Sequence, residues 1–483
     1  MRKILLFAAL FLVLFQVKAE LKLPKVFADH MVLQRGQEIP VWGEADPRQW
    51  VNVTFQEKKY RVKADKEGHW MLKMDAFPKG GPYVLSVSTK KESMVLENVM
   101  MGDVWLLGGQ SNMEWVLKNT NNGEDSVKAA DYPNIRLYEV GRNLSLENIA
   151  EVPEAKWSVC SPETVANFSA IGYYFARRIQ TDMDVAIGLL DINWGGTLSE
   201  AWTSADALLT HADFKERIAT NMEEGPKDFS DPDVRKPNMW PTSLYYGMLE
   251  PVIPFAIKGA LWYQGESNAS KAYQYREIFP LMIEDWRAQW GQGDFPFLWV
   301  QLANFRQPKA EPGDSDWAEL REAQSMTLSL PHTGQAVIID KGEADDIHPR
   351  DKWTVAERLA KGAKKIAYGM DVVYSGPTYE SMEIQGDQIR ISFDNTGSGL
   401  MVNDKYGYVK GFAVAGPDKE FHWVSGYQDG NQIVLETGDI RQPVAVRYGW
   451  ADNPDDVNLY NKEGLPANPF RTDDWRGITY GKK

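Results

Sequence analysis

Asp103-Val104-Trp105-Leu106-Leu107-Gly108-Gly109-Gln110-Ser111-Asn112-Met113 is the stretch that decides the fold of this chain. An unbroken apolar run, residues 104–107, meets two glycines, and a serine comes two residues later. Short apolar runs without alternation mark strands covered on both faces, as in parallel sheets. The pattern recurs at residues 185–190, 256–263, 295–302 and 336–339. Amphipathic stretches of helical length separate these runs, at 167–183, 273–290, 317–330 and 352–368. Strands alternating with helices in this way predict an α/β domain, a parallel sheet with helices on both faces. Residues 123–142 and 204–241 lack the regularity and read as excursions from this core.

Both flanks of this domain differ in character. Residues 51–55, 60–62 and 83–87 read as short strands, with turns at Ala45-Asp46-Pro47 and Lys79-Gly80-Gly81-Pro82. Residues 20–100 are therefore predicted to form an N-terminal β-sandwich. The β pattern returns after residue 371, with strands expected at 389–393, 411–415 and 445–448. Residues 372–483 read as a second β-sandwich, which leaves 101–371 as the central domain.

The first nineteen residues stand apart. Met1-Arg2-Lys3 is basic, residues 4–15 are continuously apolar, and Val17-Lys18-Ala19 offers small residues for cleavage. The run is too short to span a bilayer, so it reads as a secretory signal, removed on export to the periplasm or the extracellular space. No membrane association of the mature form is expected. About 464 residues then remain from Glu20 onward, enough for two or three domains.

A net charge of −14 and a pI near 5.1, with no lysine or arginine run, argue against nucleic acid and anionic membranes as partners. The single cysteine, Cys160, excludes an internal disulfide. It sits in Trp157-Ser158-Val159-Cys160-Ser161-Pro162 with no catalytic pattern around it, and is expected to be buried and inert.

An open parallel sheet binds its ligand beyond the carboxyl ends of its strands. The residues just past each apolar run are Gly108 to Met113, then Asp191-Ile192-Asn193-Trp194-Gly195-Gly196-Thr197, then Gln264-Gly265-Glu266-Ser267-Asn268. After the last run come Asp340 and Asp345-Asp346-Ile347-His348-Pro349. Polar groups and glycines thus gather at one rim. A serine hydroxyl is a weak nucleophile that needs a base within reach, oriented in turn by a third group. Ser111, on a glycine-rich turn opening a helix, can expose its Oγ while its N–H helps to stabilise an oxyanion. Gly196 can bring a second N–H close, and the Gln264 amide a third donor.

Of six histidines only His348 lies beyond a core strand on the correct side. His30, His69 and His422 fall in the β regions, His211 in an irregular segment, and His332 before the last strand, at the opposite rim. Asp345, three residues before His348, can fold back to fix its tautomer, and Asp346 is the rival for that task. Each residue also has a purely structural reading: Ser111 as a turn residue, Asp345 as a helix cap, Glu266 and Asn268 as caps, Gly195-Gly196 as a tight turn. Their occurrence together at one rim, in the order Ser, Gly, Gln, Asp, His, favours chemistry.

Gly-Gly-Gln-Ser-Asn-Met at 108–113, Trp-Tyr-Gln-Gly-Glu-Ser-Asn at 262–268 and Asp-Asp-Ile-His-Pro-Arg-Asp-Lys at 345–352 resemble the blocks of SGNH-type hydrolases, specifically the sialate O-acetylesterase family. The resemblance extends to residues 27–34 and 464–472, and so covers nearly all of the mature chain. It implies a flavodoxin-like three-layer SGNH hydrolase domain and a Ser-His-Asp mechanism with no cofactor and no metal. It also implies removal of O-acetyl groups from sugars, most typically sialic acids. The wider SGNH pattern has an asparagine as oxyanion donor in its third block, whereas the matching position here is Gln264.

The substrate is less legible. Trp115, Trp194, Trp202, Trp240, Trp262 and Tyr263 lie on or near the rim segments, where flat rings suit the C–H faces of sugars, although core packing is their commoner fate. Trp115, Glu266, Asn268 and Arg350 are candidates for substrate contact. Arg350 or Arg321 is placed to take up the carboxylate of a sialic acid. Three readings are compatible with the sequence: a sialate O-acetylesterase, an esterase of acetylated plant polysaccharide such as xylan, and a non-catalytic carbohydrate-binding protein. The intact Ser111, Asp345 and His348 argue against the last.

Overall fold

The computed structural model describes residues 20–224 and 236–483, so the segment read as an export signal lies outside the described residues, as does part of the 204–241 stretch. The central sheet runs in the order Thr333–Ala336, Phe297–Val300, Gly259–Tyr263, Ser93–Gly109, Ala186–Asn193, Tyr132–Val140, Ala155–Cys160. All neighbours in it are parallel except the last pair. Every residue of Ala186–Asn193 and of Gly259–Tyr263 is buried, which is why these strands read as apolar runs rather than alternations.

Alternate side chains of the central strand feed two cores. Val104 and Leu106 pack on one face with Phe279, Met282 and Trp286 of the helix Ala272–Trp290, and with Leu320 and Ala323 of the helix Asp316–Met326. Trp105 and Leu107 pack on the other with Ile171, Phe175 and Ile179 of Ala170–Met183 and with Val355 and Leu359 of Lys352–Ile366. The period of two along a strand thus becomes a three-layer cross-section. All four helices occur within a few residues of the expected ranges.

Residues 123–142 are no excursion. They contain the helix Gly123–Lys128 and the strand Tyr132–Val140, which extends the parallel sheet beside Ala186–Asn193. Arg136 disguised the strand: it is buried in mid-ladder, with Nε donating to Pro133 O at 2.8 Å and Nη2 to Asn98 Oδ1 at 3.2 Å. The last core strand also sits earlier than expected, at Thr333–Ala336, leaving Ile338 and Ile339 buried outside the ladder.

The expected boundary at residue 101 falls inside one seventeen-residue strand, Ser93–Gly109. Its first half pairs antiparallel with Gly80–Ser88, and its second half parallel with Ala186–Asn193. The N-terminal β region adds Trp50–Phe55 and Lys58–Lys63 to this sheet, with a separate antiparallel pair, Ile39–Glu44 and His69–Met74. Its apolar residues share a continuous core with the central domain. The C-terminal region is a seven-stranded antiparallel sheet from Thr378–Gln385 to Phe470–Arg471 with its own core around Ile391, Phe412 and Val446. The chain end returns to the central domain, where Thr479 Oγ1 donates to Glu319 Oε2. Among the described residues no helix is long and apolar enough to cross a membrane.

Candidate active site

Sheet register brings the rim together. Gly109 pairs with Asn193 on one side and Tyr263 on the other, so all three chain segments leave the sheet at one level. Gln110 N–H donates to Tyr263 O at 2.9 Å, and Trp194 N–H to Gly109 O at 3.2 Å. Gly109 has φ +133, and a Cβ there would lie 2.2 Å from the Tyr263 carbonyl oxygen. Only glycine lets the strand turn this closely into the Gln110-Ser111 bend.

Ser111 opens the single helical turn Ser111–Glu114. His348 lies in the turn before the helix Lys352–Ile366, whose N-terminus is capped by the Asp351 carboxylate accepting from Thr354 N–H at 3.0 Å. His348 Nε2 stands 2.8 Å from Ser111 Oγ. The other ring nitrogen faces a different carboxylate from the one expected. Asp346 Oδ1 is 3.3 Å from His348 Nδ1 and also accepts the His348 backbone N–H at 2.9 Å. Asp345 instead accepts from Gln307 Nε2 at 2.6 Å. The cause is local: an aspartate two residues ahead of an N–H closes an Asx turn, which carries the Asp346 carboxylate alongside the ring of the residue that donates to it.

Burial lowers the proton affinity of His348 below the ordinary imidazole range, the Lys352 ammonium lowers it further, and Asp346 opposes both. The ring is therefore held neutral, the form able to accept a proton. Trp115 stacks on it, with centroids 5.1 Å apart and planes 18° from parallel.

The second glycine segment is fixed to the nucleophile turn. Gly195 N–H donates to Glu114 Oε2 at 2.9 Å, and Asn238 Nδ2 donates to Gly195 O at 3.1 Å. The other Glu114 oxygen is held by Arg142, whose guanidinium lies 5.3 Å from the Trp194 ring centre. Gly196 is exposed with φ +73. Among the described residues neither its N–H nor that of Ser111 has a partner, so both remain open to an incoming oxygen.

Gln264 is not available as the third donor. It is fully buried, and its Nε2 donates to Thr197 O at 3.1 Å and to Asn268 Oδ1 at 2.7 Å, while Tyr275 Oη donates to its Oε1 at 3.1 Å. Asn268 passes the brace on, accepting from Ser199 N–H at 3.1 Å and donating to Glu200 Oε2 at 3.0 Å. Gln264 and Asn268 thus tie the segment after Gly196 to the turn after Tyr263. Glu266 likewise accepts from Asn112 Nδ2 at 2.6 Å. These residues hold loops in place; Asn268 is not exposed to a ligand.

Arg321 is also removed from substrate contact. It is fully buried and donates to four backbone carbonyls, at Leu302, Ala303, Ala451 and Asp452. Arg350 is exposed, with its backbone N–H bound to Glu343 Oε1 at 3.0 Å. Trp202, Trp262 and Tyr263 are core residues, whereas Trp115 and Trp194 remain half-buried at the site. Cys160 is buried, and burial pushes its thiol up to about 12. His211 meets Glu277 and His332 meets the Asp294 carbonyl, well apart in the chain from Ser111. Among the described residues no three His, Cys, Asp or Glu side chains gather as ligands for a metal. Sequence reasoning overlooked Glu114, Asn112 and Lys352, the first two within three residues of Ser111, where a scan of every polar neighbour of the nucleophile would have raised them.

The family described as carbohydrate esterase, sialic acid-specific acetylesterase, matches residues 101–363. The chain is 29% identical to the sialate O-acetylesterase of Mus musculus, over 92% of each chain. It is 31% identical to that of Homo sapiens, over 73% of this chain and 72% of the other. A crystal structure of a novel carbohydrate acetylesterase from Xanthomonas citri superposes with a TM-score of 0.86 at 41% identity, covering 94% of this chain and 100% of that one. The match over more than half of the chain and the likeness to these relatives show that this chain belongs to the sialic acid-specific acetylesterase family of carbohydrate esterases.

Proposed function

We propose that the chain removes O-acetyl groups from sialic acids, with Ser111 as nucleophile, His348 as general base, Asp346 as the group that orients it, and the N–H groups of Ser111 and Gly196 as oxyanion donors. The 2.8 Å approach of His348 Nε2 to Ser111 Oγ beside two unpartnered amides carries this reading. His348 takes the Ser111 proton as Oγ attacks the acetyl carbonyl. The tetrahedral oxyanion accepts from the two amides, and the ring returns the proton to the departing sugar oxygen. Water, deprotonated by the same ring, then releases acetate and restores Ser111. No step calls for a metal or cofactor.

Apart from the two strands at one edge, Tyr132–Val140 and Ala155–Cys160, the central strands lie in the order second, first, third, fourth, fifth, which supports the flavodoxin-like SGNH reading. Sialic acid as the substrate is supported by the mammalian relatives, described as sialate O-acetylesterases. A second reading, an esterase of acetylated plant polysaccharide, is compatible with the 41%-identical relative, described only as a carbohydrate acetylesterase. Acetate release from O-acetylated sialic acid and from acetylated xylan, measured side by side, separates the two: turnover of xylan alone overturns the sialate reading. Residues 1–19 further support export, which N-terminal sequencing of the protein recovered outside the cytoplasm would test by starting at or near Glu20.

A further inference from the structure

Four chain segments converge on one buried amide. Asn112 Nδ2 donates to Glu266 Oε1 at 2.6 Å and to Ile347 O at 3.0 Å, while Asn112 Oδ1 accepts from Lys352 Nζ at 2.5 Å. The amide thus joins the nucleophile turn, the turn after Tyr263, the residue preceding His348 and the first residue of the next helix. Its orientation is forced. A lysine can only donate, whereas a carbonyl and a carboxylate oxygen accept, so Oδ1 must face Lys352 and Nδ2 the other two.

Lys352 is fully buried, and its ammonium lies 5.8 Å from the Trp115 ring centre and 5.4 Å from that of Tyr263. Trp115 in turn stacks on the His348 ring. The lysine therefore meets the base by two routes, through Asn112 to the backbone of Ile347 and through the indole to the imidazole. Packing alone does not call for a charge here, since an apolar side chain of similar length would fill the slot without the desolvation penalty.

We propose that Lys352 is a positioning residue that, acting through Asn112 and Trp115, holds His348 in register with Ser111. The inference rests on the nucleophile and base assigned above. The charged groups around His348 are Asp346, which favours the imidazolium, and Lys352, which disfavours it. Those around Lys352 are Glu266, Asp346, Glu343 and Asp351, all favouring the ammonium, against burial, which brings it down to about 7. On the acid limb of activity the lysine is thus charged, and its field acts where the base would otherwise take up a proton.

Lys352→Met in the full chain tests this, with p-nitrophenyl acetate as probe and circular dichroism as the check on folding. We expect kcat to fall about 10- to 100-fold with KM within about threefold, as small misplacements of a base do. The acid limb should rise by about half a pH unit or more as the repelling charge is lost. A folded variant with kcat within twofold of wild type and an unmoved limb overturns the proposal. Should it not fold, the wild type decides by NMR titration of the His348 ring. The Lys352 charge beside the ring requires His348 to titrate below the ordinary 6.5, and a ring that titrates above that value overturns the proposal. The titration needs no turnover, so it stands even if an organophosphonate leaves Ser111 unlabelled, a result that defeats the esterase reading instead.

Discussion

Asp346 Oδ1 serves His348 twice, accepting its backbone N–H at 2.9 Å and lying 3.3 Å from its ring Nδ1. One oxygen therefore sets both the turn and the ring, and removing its charge should affect geometry and proton affinity together. Asp346→Asn is expected to lower kcat/KM by about 10- to 1000-fold, less than removing the ring, because a misoriented base remains. The sign of the pH effect is set by the groups around the ring. His348 must be neutral to act, and its pKa lies below the ordinary 6.5, so activity in the wild type should fall only below that value. Asp346 raises that pKa, so Asp346→Asn should move the acid limb lower still while the plateau drops. Asp345→Asn, which loses only the Gln307 contact, should stay within about threefold of wild type. Rate profiles of the two variants from pH 4 to pH 9 decide between the neighbouring aspartates.

Gln264 offers a contest between two roles. An oxyanion donor, when truncated, lowers kcat by about 100- to 1000-fold and leaves stability alone. A buried brace does the reverse. Gln264→Ala strips Asn268 Oδ1 and Thr197 O of a donor and Tyr275 of its acceptor, all inside the protein. Unfolding in urea should show a loss of about 2–4 kcal/mol. The activity per folded molecule should fall less than tenfold, through looser seating of Gly196. A large kcat loss at unchanged stability would return Gln264 to the oxyanion hole.

The sheet and the Ser111–His348 pair were legible because they depend on local signals: apolar runs, glycines at the rim, and a histidine on the correct side of a strand. The Asp345–Asp346 choice was not, since it turns on one Asx hydrogen bond that composition does not encode. Arg136 hid a strand, because a charged residue at a buried ladder position contradicts the pattern that marks such strands. Gln264 and Arg321 misled for one reason. Polar side chains at a rim suggest a ligand, yet each spends donors on carbonyls far away in the chain, Gln264 on Thr197 and Arg321 on Ala451 and Asp452. Those partners emerge only when the loops are folded together.

Cys160 should be silent toward thiol reagents in the native protein. It is buried in the core around Ile135, Leu137 and Tyr173, and burial pushes its thiol up to about 12, so almost no thiolate exists at neutral pH. Ellman's reagent should find no reactive thiol in buffer and one equivalent in guanidinium. Loss of esterase activity on native alkylation at Cys160 would contradict this and place the thiol at the site.

Arg321 separates a fold clamp from a ligand contact. Its guanidinium donates to Leu302 O at 2.8 Å and Ala303 O at 2.8 Å, just past the strand Phe297–Val300, and to Ala451 O at 2.6 Å and Asp452 O at 3.0 Å in the C-terminal region. The side chain is fully buried, so Leu302 O and Ala451 O depend on it in place of water. Arg321→Met keeps most of the length and removes every donor. Leu302 O and Ala451 O are then orphaned, while Ala303 O keeps Trp317 Nε1 and Asp452 O keeps the Phe305 N–H, and the change should cost about 2–4 kcal/mol. Denaturant unfolding should register this loss, with proteolysis first releasing the C-terminal region, because two of the four bonds join it to the central domain. At 25 °C the folded fraction should keep its KM for O-acetylated sialic acid, since nothing of Arg321 is open to solvent. A raised KM at unchanged stability would mean that the guanidinium reaches the substrate carboxylate after all, and would overturn its reading as a clamp.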